Sequence, residues 1–330
     1  MRQIFLLLII PVIFGCNRSK QVWNYDKGMA HGTFYSVTYQ YSSNLQDEIE
    51  MVMKRTDQSL STFQPTSVIS RINSGDTLVQ LDSLFIDVFD RGREIWAVTS
   101  GAFDMTVAPL VNAWGFGYEK GFTNPQKSID SIMTFVGFEK IRREGKSLVK
   151  DHPGIKLDAS AIAKGYSVDR VGRFLESKNI KNYMVEIGGE VRVRGINPKD
   201  KKWKIGVDKP VDNPVVTDDR EIQDVLSLSY GAIATSGNYR QFYLKDGKRY
   251  AHTINPKTGY PVQHDLLSAT VWAPDCMTAD AYATAFMVLG YQISKSIVEQ
   301  TDSLEAYFIV SDGNSQYKVD YTKGIKEMLE

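Results

Sequence analysis

Tyr183-Met184-Val185-Glu186-Ile187-Gly188-Gly189-Glu190-Val191-Arg192-Val193-Arg194 is the stretch that decides the fold class of this chain. Two strand-like runs, Tyr183–Ile187 and Glu190–Arg194, flank a diglycine that reads as a tight turn between them. Further strand-like runs lie at 33–39, 203–207, 231–235, 241–244, 267–272 and 306–310, the first of them rich in aromatic and β-branched residues. Apolar residues at helical spacing mark 47–60, 82–96, 160–177 and 278–289, with Asp82 placed as a cap. Asn124-Pro125 opens a shorter helix reaching Val136, because proline suits the first helical turn. Hairpin-like strands grouped with helices predict an α+β fold, mainly antiparallel sheets packed with helices, rather than a doubly wound parallel sheet. No GxGxxG follows a strand and no P-loop pattern occurs, so the standard nucleotide folds lose support.

At 330 residues the chain can bury one large core or two smaller ones. Apolar and charged fractions of 42% and 24% are those of an ordinary globular protein. Lys+Arg and Asp+Glu stand at 39 each, so the formal net charge is zero and a nucleic-acid partner is not expected. Arg2 precedes an apolar run, 4–14, too short to span a bilayer as a lone helix, and Gly15-Cys16 ends it. This resembles a bacterial lipoprotein signal. Residues 1–15 would be removed, Cys16 lipidated, and 16–24 left as a tether to the membrane surface. Cys276, the one other cysteine, precedes an apolar helix and reads as a small buried residue.

Four segments carry candidate chemistry. Asp280 and Thr284 are spaced i, i+4 on one helix face and offer hard oxygens suited to Mg²⁺, with phosphate and water completing the shell. The bland alternative is a helix start with Thr278 as cap and Asp280 favoured by the dipole. His252 precedes a loop fixed by Pro256, Gly259 and Pro261, and an imidazole with an ordinary pKa of about 6.5 suits proton transfer. A half-buried histidine at a strand end explains it equally well. Asp158-Ala159-Ser160-Ala161-Ile162-Ala163-Lys164 begins a helix whose free amides could take phosphate, with Lys164 adding a point charge. Asp158 as an N-cap with alanines for tight packing is the alternative. Residues 101–117 mix Asp104 with Phe103, Trp114, Phe116 and glycines, a composition able to stack a flat heteroaromatic ring or simply to fill a core.

Taken together and in this order, the blocks resemble the ApbE family, the FAD:protein FMN transferases. The matching pieces are Gly32-Thr33-Phe34-Tyr35, Ser61-Thr62-Phe63, 101–117, 156–171, 185–190, 236–240, 252–261 and 278–284. The resemblance implies a T-fold-like α+β domain over 25–330, acting outside the cytoplasm. It implies that FAD is split at its pyrophosphate with Mg²⁺, that AMP leaves, and that FMN is esterified through phosphate to a Thr or Ser of a target protein, such as a membrane redox-complex subunit. Matched residue by residue, Ala161 (through its carbonyl), Asp280 and Thr284 correspond to metal ligands. His31, Phe63, Ala102, Phe103, Asp104, Asp158, Lys164 and Ile254 correspond to flavin-nucleotide contacts, and His252 to the histidine that assists transfer. Three positions depart from the pattern: His31 replaces a common methionine, Phe63 a common tyrosine, and Ala283 a second acid found in some members. An FAD pyrophosphatase and a non-catalytic flavin-binding lipoprotein are the competing readings.

Overall fold

In the computed structural model, which describes residues 22–118, 128–210, 221–238, 242–245, 248–313 and 316–330, eight strands form one sheet. They are β1 (Val22–Ala30), β2 (Thr33–Tyr41), β3 (Tyr183–Ile187), β4 (Glu190–Arg194), β5 (Tyr230–Gly237), β6 (Leu266–Ala273), β7 (Glu305–Ser311) and β8 (Tyr317–Tyr321). Their order across the sheet is their order along the chain, and every neighbouring pair is antiparallel. The 183–194 hairpin sits near the middle. Ile187 pairs with Glu190 across Gly188 and Gly189, both at positive φ (63° and 101°), as a two-residue hairpin loop of the primed kind demands.

Four long helices matter for the site: α1 (Gln46–Leu60), α2 (Ser83–Val98), α3 (Ala163–Ser177) and α4 (Cys276–Leu289). Asp82 caps α2 as expected, accepting the Phe85 N–H at 2.8 Å. Helix α4 is buried on nearly every side, and Ala279, Ala281, Ala283 and Ala285 let its neighbours come close. One sheet face lies on α1, α3 and α4. The other is covered by the hairpin of Trp203–Asp208 with Ile222–Leu228 and by the C-terminal helix Lys323–Met328. Strand β7 shows the period of two directly: Ala306, Phe308 and Val310 join the core around α4, whereas Tyr307 and Ile309 join the opposite cluster.

Several boundaries differ from expectation. Helix α3 starts at Ala163, because 158–162 form a turn in which Asp158 Oδ1 accepts the Ser160 N–H (2.7 Å). Asp158 therefore caps the turn rather than the helix. Helix α4 starts at Cys276 and its cap is Asp275, which accepts the Thr278 N–H at 2.9 Å, so Thr278 lies inside the helix. Strand β1 begins at Val22, within the stretch expected to be tether; as an edge strand with polar, exposed positions it lacks an apolar signature. The helix expected from Asn124-Pro125 is described only over Ile129–Met133. Residues 1–21 with Cys16, and Tyr239, Arg240 and Gln241, lie outside the described residues. No helix among the described residues is long and apolar enough to cross a membrane.

Candidate active site

Where α3 crosses α4, each helix caps the other. Asp280 of α4 accepts the Gly165 N–H at 2.9 Å, in the first turn of α3. Asp169 of α3 accepts the N–H groups of Cys276 (2.9 Å) and Met277 (2.8 Å) at the start of α4, and its Oδ1 also takes the Arg192 guanidinium at 2.7 Å. First-turn amides have no partner within their own helix, and the dipole favours a carboxylate there. Gly165 makes the approach possible: a Cβ would stand 2.3 Å from the Cys276 carbonyl oxygen and 2.7 Å from Asp280 Cβ. The Gly165 amide is also the one that would close a helical turn on the Ala161 carbonyl. Asp280 takes that amide instead, which leaves the Ala161 carbonyl outside the helical ladder.

This crossing forms the floor of a cavity of about 490 Å³, within the ordinary range for small-molecule sites. Its walls include Phe63, Ala102, Phe103, Asp104, Asp158, Ala161, Lys164, His252, Ile254, Asp280 and Thr284, which are all the expected site residues except His31. His31 lines a neighbouring cleft of about 540 Å³ that shares Phe63, Ser160 and Lys164 with the first. Both nitrogens of His31 are engaged, Nδ1 with Asp57 Oδ1 and Nε2 with Ser167 Oγ, each at 2.7 Å. Its ring thus lines the cleft with both nitrogens committed. Phe63 is 74% exposed, at the rim, and meets Tyr118 edge to face with centroids 6.5 Å apart.

The floor is charged, with Asp280 and Glu190 buried and the Lys164 side chain partly exposed. Burial pushes the Asp280 carboxyl up, opposed by the Lys164 ammonium and the Gly165 amide. Burial, with the Asp280 charge added, pushes Glu190 up to about 7 against the pull of Lys164. For Lys164, burial favours loss of the proton, but Glu190 and Asp280 outweigh it and hold the ammonium above the usual lysine value. Lys164 Nζ and Glu190 Oε1 are in direct contact, while Glu190 Oε2 is buried without a hydrogen-bond partner among the described residues. Thr284 Oγ1 and Ser236 Oγ lie 3.2 Å apart.

The remaining walls come from two loops locked together. In the loop after His252, Asn255 N–H bonds the Tyr260 carbonyl (2.9 Å), Val262 N–H bonds the Thr253 carbonyl (3.0 Å), and Ile254 bridges Pro261. Trp114 Nε1 donates to the Gly259 carbonyl at 2.8 Å, tying this loop to the 101–117 segment. His252 is half-buried there, its ring 6.4 Å from that of Phe116 and edge to face with it. Asp104 accepts from Thr106 N (2.7 Å), Thr106 Oγ1 (2.6 Å) and Phe138 N (3.0 Å), so its carboxylate braces the loop. Burial pushes the Asp104 carboxyl up, and those donors oppose it. Phe103, 2% exposed, belongs to the main core as well as to the cavity wall.

The donor set at the floor fits a hard divalent cation. Asp280 keeps one carboxylate oxygen beyond the Gly165 contact, Thr284 offers a hydroxyl, and the Ala161 carbonyl is outside the ladder. No group of three or more His, Cys, Asp or Glu gathers among the described residues, so a cation there would rest on one carboxylate with neutral oxygens. Glu190 and Asp169 escaped sequence reading. Glu190 followed an unremarkable diglycine turn, and Asp169 sat at mid-helix among polar residues, where no local pattern shows that α4 begins beside it.

Comparison with known proteins identifies the family of the chain. A family model described as the ApbE family matches residues 31–308. The chain is 38% identical over 306 residues to an FAD:protein FMN transferase of Haemophilus influenzae, covering 87% of this chain and 86% of that protein. It is 34% identical over 302 residues to the FAD:protein FMN transferase of Escherichia coli K12, covering 88% and 84%. The flavin transferase ApbE structure from Vibrio cholerae superposes with a TM-score of 0.84 at 34% identity, over 94% of this chain and all of that one.

Proposed function

This chain belongs to the ApbE family, and on that premise we propose that it is an FAD:protein FMN transferase that moves the FMN part of FAD onto a target protein. The observation that carries the reading is convergence: His252, Lys164, Asp280 and Thr284, from three separate stretches of sequence, line one cavity of about 490 Å³. An FAD molecule placed there would put its pyrophosphate over the floor and its flavin toward the 101–117 and 252–262 loops.

The chemistry conserves its bonds. A Thr or Ser hydroxyl of the target attacks the FMN-side phosphorus, one phosphoester forms, one phosphoanhydride breaks, and AMP departs. His252, braced by its loop, takes the hydroxyl proton. Lys164 supplies a fixed positive charge to the phosphoryl oxygens, and the buried walls keep water from competing for the phosphorus. Asp280, Thr284 and the Ala161 carbonyl would hold Mg²⁺, which neutralises charge on the phosphoryl oxygens when bound. Asp104 braces the 101–117 loop, Asp158 caps the turn before α3, and Phe63 offers its ring at the rim.

The Gly15-Cys16 pair at the end of the 4–14 apolar run supports lipid anchoring of the enzyme at the extracytoplasmic face of the membrane, beside a membrane-bound acceptor. The direct test mixes purified protein, FAD, Mg²⁺ and an acceptor domain, then looks for a fluorescent acceptor band on a denaturing gel. Absence of the band from a mixture in which FAD is bound and the acceptor is competent rejects the reading.

A further inference from the structure

Besides Asp280, two buried carboxylates lie near the floor, Asp169 and Glu190, and they differ in their partners. Asp169 is wholly buried and fully employed, holding two first-turn amides of α4 and the Arg192 guanidinium. Its burial is repaid in structure. Glu190 is 4% exposed, and its side chain reaches from β4 to Lys164 on α3. Oε1 meets the Lys164 ammonium, and Oε2 is buried with no hydrogen-bond partner among the described residues. An unmatched oxygen on a buried carboxylate costs stability, so a side chain retained only for stability would be satisfied at both oxygens.

What Glu190 does hold is a cavity wall. Lys164 lies in the first turn of α3, its side chain 34% exposed, and it lines both clefts. A lysine is a point charge on a flexible four-carbon stem with many rotamers. Left alone it would sweep the junction of the two clefts. Glu190 is fixed instead: it opens β4, pairs with Ile187 in the ladder, and follows two positive-φ glycines that set its direction.

We propose that Glu190 is a positioning residue of the transfer reaction, holding the Lys164 ammonium in place before the pyrophosphate of FAD arrives. The proposal rests on the reading of this cavity as the FAD site. Glu190 lines the cavity beside Lys164 and acts through it, by ordering the ammonium ahead of binding so that the substrate does not bear that cost.

The test is a double-mutant cycle read first by metal-free FAD binding, from quenching of flavin fluorescence, and then by transfer rate. Glu190→Asp keeps the charge but draws the carboxylate back by one methylene, so position alone changes. Lys164→Ala should weaken FAD binding about 10-fold and Glu190→Asp about 3- to 10-fold. The double variant should bind no worse than Lys164→Ala within about 2-fold, since Glu190 has nothing left to position. Unaltered binding and transfer in Glu190→Asp, or losses that multiply in the double variant together with a lowered melting point, would overturn the proposal. Should Glu190→Asp not fold, Glu190→Gln replaces it in the same cycle; it should slow transfer in the wild-type background and leave Lys164→Ala unchanged, and multiplied losses would again refute it. A wild-type protein that binds FAD but transfers nothing would sink the transferase reading while leaving the binding cycle readable.

Discussion

Replacing Gly165 by alanine would test whether the α3–α4 crossing sets the site. The added Cβ would lie 2.3 Å from the Cys276 carbonyl oxygen and 2.7 Å from Asp280 Cβ, both on α4, and the nearer atom is backbone that cannot swing away. Ordinary contact begins near 3.4 Å, so the helices must part by about 1 Å. Overpacking of this kind costs about 1–3 kcal/mol, offset by up to about 1 kcal/mol from alanine's better helix propensity. The net loss of about 1–2 kcal/mol should lower the melting midpoint by roughly 2–6 °C. The catalytic effect should be larger in proportion, because the parting separates Asp280 on α4 from Ala161 just before α3. A displacement of about 1 Å at a catalytic constellation costs on the order of 100-fold in rate. Differential scanning calorimetry and a transfer assay at saturating FAD measure the two effects. A variant with wild-type rate and Mg²⁺ dependence would refute the claim that this crossing positions the ligands, whatever its melting point.

Three further outcomes follow from named contacts. Asp280→Asn retains an oxygen for the Gly165 amide and should fold, but transfer should drop at least about 100-fold and lose its response to added Mg²⁺, seen by titrating the metal after chelation. His252→Ala should slow transfer by roughly 100-fold or more while FAD affinity stays within a few-fold; equal losses in rate and affinity would mark a histidine that merely shapes the loop. Phe63→Ala, at a 74% exposed position, should leave stability within about 0.5 kcal/mol of wild type and weaken FAD binding by roughly 2- to 10-fold, with Phe63→Tyr restoring it.

Much of the fold was legible because its signals are local. The diglycine at 188–189 announced an antiparallel hairpin, and Asp82 announced a helix start; each is a short-range constraint that the sequence states outright. Strand β1 was not, since an edge strand with one wet face carries no apolar run. The start of α4 was misplaced by two residues because Asp275 and Thr278 are both capping types, and only the N–H geometry chooses between them. In the site, Asp280 and Thr284 were visible through their helical spacing. Asp169 and Glu190 were not, because their meaning is long-range: one reads an amide 107 residues away, the other an ammonium 26 residues away. His31 illustrates the converse. Its match to a nucleotide contact came from position in a motif, whereas the structure commits both its ring nitrogens to Asp57 and Ser167.

The measurement that bears most directly on the central claim counts products. Wild-type protein, Mg²⁺, FAD and an acceptor domain are incubated together, the acceptor is weighed by intact-mass spectrometry, and free AMP and FMN are quantified from the same tube. The account predicts an acceptor heavier by one phosphoester-linked FMN, one AMP released for each FMN attached, and little free FMN. An unmodified acceptor beside equal amounts of free FMN and AMP would contradict it, and would make water rather than a protein hydroxyl the group that enters this cavity.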